Sequence, residues 1–250
     1  MMKNFEISEI LRLRHSQSEA QRLAWEIANQ IEVGMNEWDV HSLAREVFKD
    51  NGVQRHWHMP YIGLGSGTNK LRSPYSLCKS FFNMHEKLKN NDLVMIDIAP
   101  MIEGYPSDFT VSKVIGLNAE YDDQIAFTKQ VAREVMELAE RGFDNKTIYR
   151  TIKMRVSETN RYQLGDVPLI RLGHRLLRIP PFLTCFPETR FLYLLSYPGP
   201  SFLNGKWKKA LTNLWALEPY VVSPTRGTKY EELVYIDEEK VLHRLNQEDI

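Results

Sequence analysis

An α+β fold in two like halves is predicted by three observations. Apolar residues recur at helical spacing in two pairs of segments, short apolar runs of strand character follow each pair, and single carboxylates interrupt those runs. The order is two helices then strands, twice over, although the residues themselves carry no convincing repeat. At 250 residues, 43% hydrophobic and 26% charged, the chain can bury a full core, read here as one domain over residues 1–250. Thirty-two basic residues balance thirty-two acidic ones, which removes the electrostatic argument for a nucleic acid or anionic membrane partner. No run has the length of a signal-peptide core or a transmembrane helix, so a cytoplasmic protein is expected. Cys78 and Cys185 lie far apart and read as reduced thiols.

The first helix is expected over Ser16 to Val33, where Ala20, Leu23, Ala24, Ile27, Ala28 and Ile31 share a face; Ser16 or Ser18 would cap it and Gly34 end it. Asn36 caps a second helix whose stripe is Trp38, Val40, Leu43, Ala44, Val47 and Phe48 and which ends at Asp50-Asn51-Gly52. Residues 53 to 83, with His56-Trp57-His58 and Gly63, Gly65 and Gly67, read as short strands and loops near a site; those glycines are too loosely spaced for a phosphate loop. Asn118 opens a long helix to Gly142, and another runs from about Asn145 to Asn160. Leu169 to Leu172 is a short strand leading into Gly173-His174, and Leu214 to Val222 with Tyr230 to Ile236 form a second hairpin around Pro224 and Gly227. Arg175 to Lys209, rich in proline, aromatic and basic residues, is read as an active-site loop or an insertion.

The first hairpin carries the strongest signal. Asp97 interrupts the apolar run Val94-Met-Ile-Asp97-Ile, Gly104 and Pro106 mark the reversal, and Asp108, Thr110 and Ser112 then alternate with Phe109 and Val111. Asp97 and Asp108 thereby become cross-strand or diagonal neighbours. Two carboxylates that close need a shared proton or a cation. On the second hairpin, Glu218 and Glu231 are each embedded in an apolar run, and His174 follows its own short strand. Four carboxylates and one imidazole suit two divalent cations, whose four positive charges match the four negative ones.

The order Asp97, eleven residues on Asp108, then Gly173-His174, then Glu218-Pro219, then Tyr230-Glu231 resembles the M24 metallopeptidase family, which includes methionine aminopeptidases, Xaa-Pro aminopeptidases, prolidases and creatinase. The resemblance covers nearly the whole chain. It implies the pita-bread α+β fold, two pseudo-symmetric halves around a curved antiparallel sheet. By its motifs Asp97 would chelate one metal ion, Asp108 and Glu231 would bridge, and His174 and Glu218 would complete the second. Glu218 would also move protons between a metal-bridged hydroxide and the leaving amine. His58, in the His-Trp-His segment, would be the substrate-facing histidine. The cofactors implied are two divalent ions, manganese or cobalt before zinc or iron, since the ligands are rich in oxygen.

The expected activity is hydrolysis of the N-terminal peptide bond of a peptide, nearer to an Xaa-Pro aminopeptidase than to a methionine aminopeptidase. A homodimer is the assembly the resemblance leaves open. One departure stands in Gly173-His174-Arg175-Leu-Leu-Arg178-Ile-Pro-Pro181, where proline occupies about the place of a second family histidine and Arg175, Leu176 and Leu177 replace a compact turn. That departure sustains two rival expectations. One is a weak or inactive pita-bread protein that binds a peptide or protein partner; the other is a creatinase-like hydrolase of a small C–N substrate.

Overall fold

The computed structural model describes residues 5–72, 85–165, 171–178 and 201–246. Helix α1 runs Ile10–Asn29 and α2 runs Glu37–Asp50, followed by strand β1, Tyr61–Leu64, and a 3-10 segment Gly65–Arg72. Strands β2 (Asp92–Ile98), β3 (Met101–Ile102), β4 (Tyr105–Pro106) and β5 (Phe109–Ile115) complete the first half. The second half begins with α3, Ala119–Glu140, and α4, Asn145–Ser157. Its strands are β6 (Gln163–Leu164), β7 (Gly173–Arg175), β8 (Asn213–Leu217), β9 (Tyr220–Val222), β10 (Gly227–Lys229), β11 (Glu232–Ile236) and β12 (Leu242–Arg244).

Each helix pair buries its apolar stripe on strands of its own half. Ala20, Leu23, Ala24 and Ile27 of α1, with Val40, Ala44 and Val47 of α2, pack on Ile62, Val94, Ile96, Ile98, Phe109 and Val111. In the second half, Val131 and Val135 of α3 and Ile148, Ile152 and Val156 of α4 pack on Trp215, Leu217, Val221, Val234 and Ile236. Each such large side chain contributes about 1.5–3 kcal/mol by leaving water. Because side chains alternate along a strand, committing Val94, Ile96 and Ile98 to the helices turns Met95 and Asp97 the other way. The same logic turns Asp108, Thr110 and Ser112 away from α1 and α2 and Glu218 and Glu231 away from α3 and α4. The polar faces of the two halves thus face one another.

Among the described residues no helix is long and apolar enough to cross a membrane. The helix starting at Asn36 is as expected: its side chain accepts hydrogen bonds from the Trp38 and Asp39 amides. Helix α1 differs. It starts six residues before Ser16, after a 3-10 turn Ile7–Glu9, and it ends at Asn29 rather than running to Gly34. Ser16 and Gln17 are fully buried and bond to Tyr105 and Asp108, so these polar residues mark tertiary contacts and not a helix end. The His174 strand begins at Gly173, and residues 169 and 170 of the expected Leu169 to Leu172 strand lie outside the described residues. The expected strand Leu214 to Val222 is broken into β8 and β9, and opposite it β10 begins at Gly227, ahead of the expected Tyr230, with β11 following at Glu232.

Candidate metal centre

The first hairpin reaches its carboxylates by side-chain alternation and ladder register. Strands β2 and β5 pair antiparallel, Asp97 opposite Thr110 and Ile98 opposite Phe109, so Asp108 lies diagonally from Asp97, one residue beyond the ladder. The tip folds back through β3 and β4, Ile102 opposite Tyr105, across Glu103 and Gly104 at φ of 51° and 84°. A two-residue loop with both φ positive is the turn whose twist suits a hairpin, and glycine adopts it without steric cost.

The second hairpin reaches its carboxylates by opening. Asn213 to Leu217 pair with Ile236 to Glu232, and Tyr220 to Val222 pair with Lys229 to Gly227 in the same register. Glu218 and Glu231 are therefore opposite one another in the gap of an otherwise continuous ladder, and Pro219, which has no N–H to donate, stands beside them. His174 comes from β7, opposite Ala216 on β8. A Cβ on Gly173 would lie 2.4 Å from the Ala216 carbonyl oxygen, so only glycine lets β7 approach this closely before presenting the histidine. His58 precedes β1 in a segment pinned by the buried Trp57, whose amide donates to the Ala99 carbonyl at 2.6 Å.

All six side chains expected at the site converge. The ligand atoms of His58, Asp97 and Asp108, those of Asp108, His174 and Glu231, and those of Asp97, Glu218 and Glu231 each lie within 4.8 Å of one another. His58 Nε2 is 3.1 Å from Asp108 Oδ1 and 3.4 Å from Asp97 Oδ1, and His174 Nε2 is 3.2 Å from Asp108 Oδ2 and 3.4 Å from Glu218 Oε1. Two groups missing from the expected set join them. Lys229 Nζ contacts Asp97 Oδ2 at 2.6 Å, is paired with Glu218 Oε2 and lies 3.7 Å from Glu231 Oε2; Thr110 Oγ1 donates to Glu231 Oε2 at 2.9 Å. Strand alternation is the signal for both, since Lys229 falls two residues before Glu231 and Thr110 two after Asp108.

The electrostatics follow from this packing. Burial works against charge at His58, but Asp108 and then Asp97 outweigh it and raise its pKa to about 9. His174 is raised in the same way, chiefly by Glu218 and Asp108 against its burial. Burial likewise opposes ionisation of Asp108, which the two imidazoles nonetheless hold far below the usual carboxylate range. At Glu231 burial and the nearby Asp108 both act upward, so this carboxyl is raised well above normal. Lys229 is buried, yet Asp97, Glu218 and Glu231 keep its ammonium form.

The donor set fits a hard divalent cation. Each carboxylate spends one oxygen on a chain partner: Asp97 Oδ2 and Glu218 Oε2 on Lys229, Asp108 Oδ1 on His58, Glu231 Oε2 on Thr110. The other four oxygens, Asp97 Oδ1, Asp108 Oδ2, Glu218 Oε1 and Glu231 Oε1, are buried without a hydrogen bond, the first three lying 3.2–3.4 Å from an imidazole Nε2. Buried acceptors are seldom left so in a complete structure: a water or an ion satisfies them, and four carboxylate oxygens converging on one centre suit a cation. Pro181 lies outside the described residues; of the segment before it, Arg175, Leu176 and Leu177 are buried, so the chain after His174 enters the core instead of forming an exposed turn.

The fold has close counterparts among solved structures. An X-Pro aminopeptidase from Thermotoga maritima matches with a TM-score of 0.74 at 17% identity, over 98% of this chain and 63% of that one. A prolidase from Pyrococcus furiosus matches with 0.74 at 18% identity, over 99% and 66%. A methionine aminopeptidase from Thermotoga maritima matches with 0.70 at 17% identity, over 99% of this chain and all of that one. This chain thus spans about two thirds of the length of the first two and the full length of the third. These are pita-bread proteins, and the α+β architecture above is that fold. No curated protein matches the chain. The family model described as metallopeptidase family M24 matches residues 12–238, nearly the whole chain, and the chain belongs to metallopeptidase family M24.

Proposed function

We propose that this chain hydrolyses the N-terminal peptide bond of a peptide, in the manner of an Xaa-Pro aminopeptidase, with two divalent cations, manganese or cobalt before zinc or iron. The observation that carries the reading is the set of four buried carboxylate oxygens without hydrogen bonds beside the His174 imidazole. Asp97 would hold one cation, His174 and Glu218 the other, and Asp108 and Glu231 both. Cations there supply Lewis acidity and a nucleophilic water at neutral pH.

The chain's own groups do the rest. Glu218 has one oxygen tied to Lys229 and the other free toward His174, so it can take and return a proton without leaving its place. His58 has the most open side chain of the six, 32% exposed, whereas Asp97, Asp108, His174, Glu218 and Glu231 are at most 9% exposed; it faces an incoming peptide. Its Nδ1 donates to the Met59 carbonyl at 2.8 Å, which fixes the ring and directs Nε2 at the centre.

The test is elemental analysis of purified protein, wild type and Asp108→Ala, with a peptide-cleavage assay in added manganese or cobalt. About two metal ions per chain and release of the N-terminal residue are expected for the wild type. For the variant, metal affinity and rate should each fall more than about a hundredfold, beyond what loss of a mere ligand-orienting group costs. Cleavage that survives chelation would contradict the mechanism. Metal binding with no release of any N-terminal residue would favour the peptide-binding alternative.

A further inference from the structure

We infer that the side-chain amides of Gln17 and Asn246 form one clamp that sets the position of Asp108 against Glu231, the two carboxylates contributed by opposite halves of the fold. The inference rests on the reading of the centre as a cation site. Gln17 is in the middle of α1 and Asn246 follows β12, far from each other in sequence.

The hydrogen bonds are those of a strand, made by side chains. Gln17 is fully buried, and its amide does for Asp108 what a neighbouring strand would do: Oε1 accepts from the Asp108 amide at 3.0 Å and Nε2 donates to the Asp108 carbonyl at 2.7 Å. The second Nε2 hydrogen goes to Asn246 Oδ1 at 3.0 Å. Asn246 repeats the pattern on the other half, its Nδ2 donating to the Glu231 carbonyl at 3.0 Å and its Oδ1 accepting from the Leu233 amide at 3.0 Å. A carboxamide offers the same donor and acceptor as a peptide unit, so it can stand where a strand has ended.

It stands where strands have ended. Asp108 is one residue outside the β2–β5 ladder, and Glu231 lies in the gap between β10 and β11. Their backbones therefore lack the sheet contacts that would locate them. Within the second half β11 is held to β8 by ladder bonds, and within the first β5 is held to β2. Asp108 and Glu231 belong to different sheets, and the separation between their carboxylates is what a shared cation would sense. Ligand positions must hold to about 0.5 Å for tight binding, and partners that orient ligands are worth about 10–100-fold in metal affinity.

A purely structural role would show as lost stability without a change at the centre. The experiment therefore measures two things on wild type, Gln17→Met, Asn246→Ala and the double variant. One is the manganese dissociation constant, by competition with a chromophoric chelator; the other is the thermal midpoint of the metal-free protein. Each single variant is expected to bind manganese about 10–100-fold more weakly. The double variant should be little worse than the weaker single, because breaking either end releases the clamp. Asn246 is only half-buried, so Asn246→Ala keeps the test open if Gln17→Met does not fold. An unchanged dissociation constant in Asn246→Ala, whatever its midpoint, overturns the clamp. A wild type that takes up none of manganese, cobalt, zinc or iron overturns the cation reading itself and this inference with it; wild-type binding lost in Asp108→Ala upholds that reading independently.

Discussion

The β2–β5 hairpin and the hairpin formed by β8–β9 with β10–β11 each deliver two carboxylates to the same centre, by different means. The first keeps its ladder whole and places Asp97 within it, with Asp108 one residue past its end. The second opens its ladder at one pair, so that Glu218 and Glu231 face each other in the gap beside Pro219. The first relies on the helix packing of Val94, Ile96 and Ile98 to force Asp97 inward. The second gives up the ladder pair between 218 and 231, the Glu218 amide donating instead to the Leu172 carbonyl at 2.9 Å, and side chains from elsewhere help to hold the gap. A ligand inside a strand is set by its own sheet, whereas a ligand in a break is set by whatever crosses it. In this chain the crossing groups are Lys229, Thr110 and Asn246.

That comparison can be broken most strongly at Lys229. Its ammonium is the charge that binds Asp97 of the first hairpin to Glu218 of the second, and removing one partner from a buried ionic cluster leaves charge uncompensated. Lys229→Met should destabilise chelator-treated protein by about 3–5 kcal/mol, read as a fall in the urea midpoint. A loss no larger than that of an exposed ion pair, under about 1 kcal/mol, would mean that packing alone joins the hairpins.

A smaller effect is expected from pH. His58 has a pKa raised from 6.5 to about 9 by Asp108 and Asp97 against its burial. A group whose pKa rises on folding binds its proton more tightly in the folded state. Its contribution to metal-free stability is complete below about pH 6.5 and disappears as pH rises through about 9. Asp108, held low, acts the other way and loses its contribution only in acid. In His58→Gln the decline of stability over that alkaline window should flatten. A profile identical to wild type would show that the imidazole does not hold the first hairpin's carboxylates.

The smallest effect should come from the scaffold. Asn36→Ala removes the cap of α2, which backs the first hairpin only, and should cost about 1 kcal/mol with manganese affinity unchanged. A shift in affinity there would mean that the helix layer, and not the strand register, positions Asp97.

Much of this was legible in the chain. Helical spacing located three helices closely and the fourth in part, and alternation placed Asp97 and Asp108 on one face of a hairpin because both signals are local and have fixed periods. The start of α1 differs from the expectation for a physical reason: Ser16 has the residue type of a cap, but a polar residue can equally be buried against a backbone group from another element, here the Tyr105 carbonyl. The break at Glu218 is hidden because the apolar run Leu214 to Val222 continues across it, and only Pro219 hints that the ladder cannot.

By itself the sequence determined the two helix pairs, the hairpins and the residue types and order that the M24 family model matches, since these depend on spacing along one chain. Tertiary structure alone decided that His58, His174 and four carboxylates meet, that Lys229 and Thr110 stand among them, and that Gln17 and Asn246 tie Asp108 to Glu231. The physical reason is that each of these contacts joins residues tens to hundreds of positions apart, which periodicity cannot relate and only the packing of two halves face to face can bring within hydrogen-bond reach.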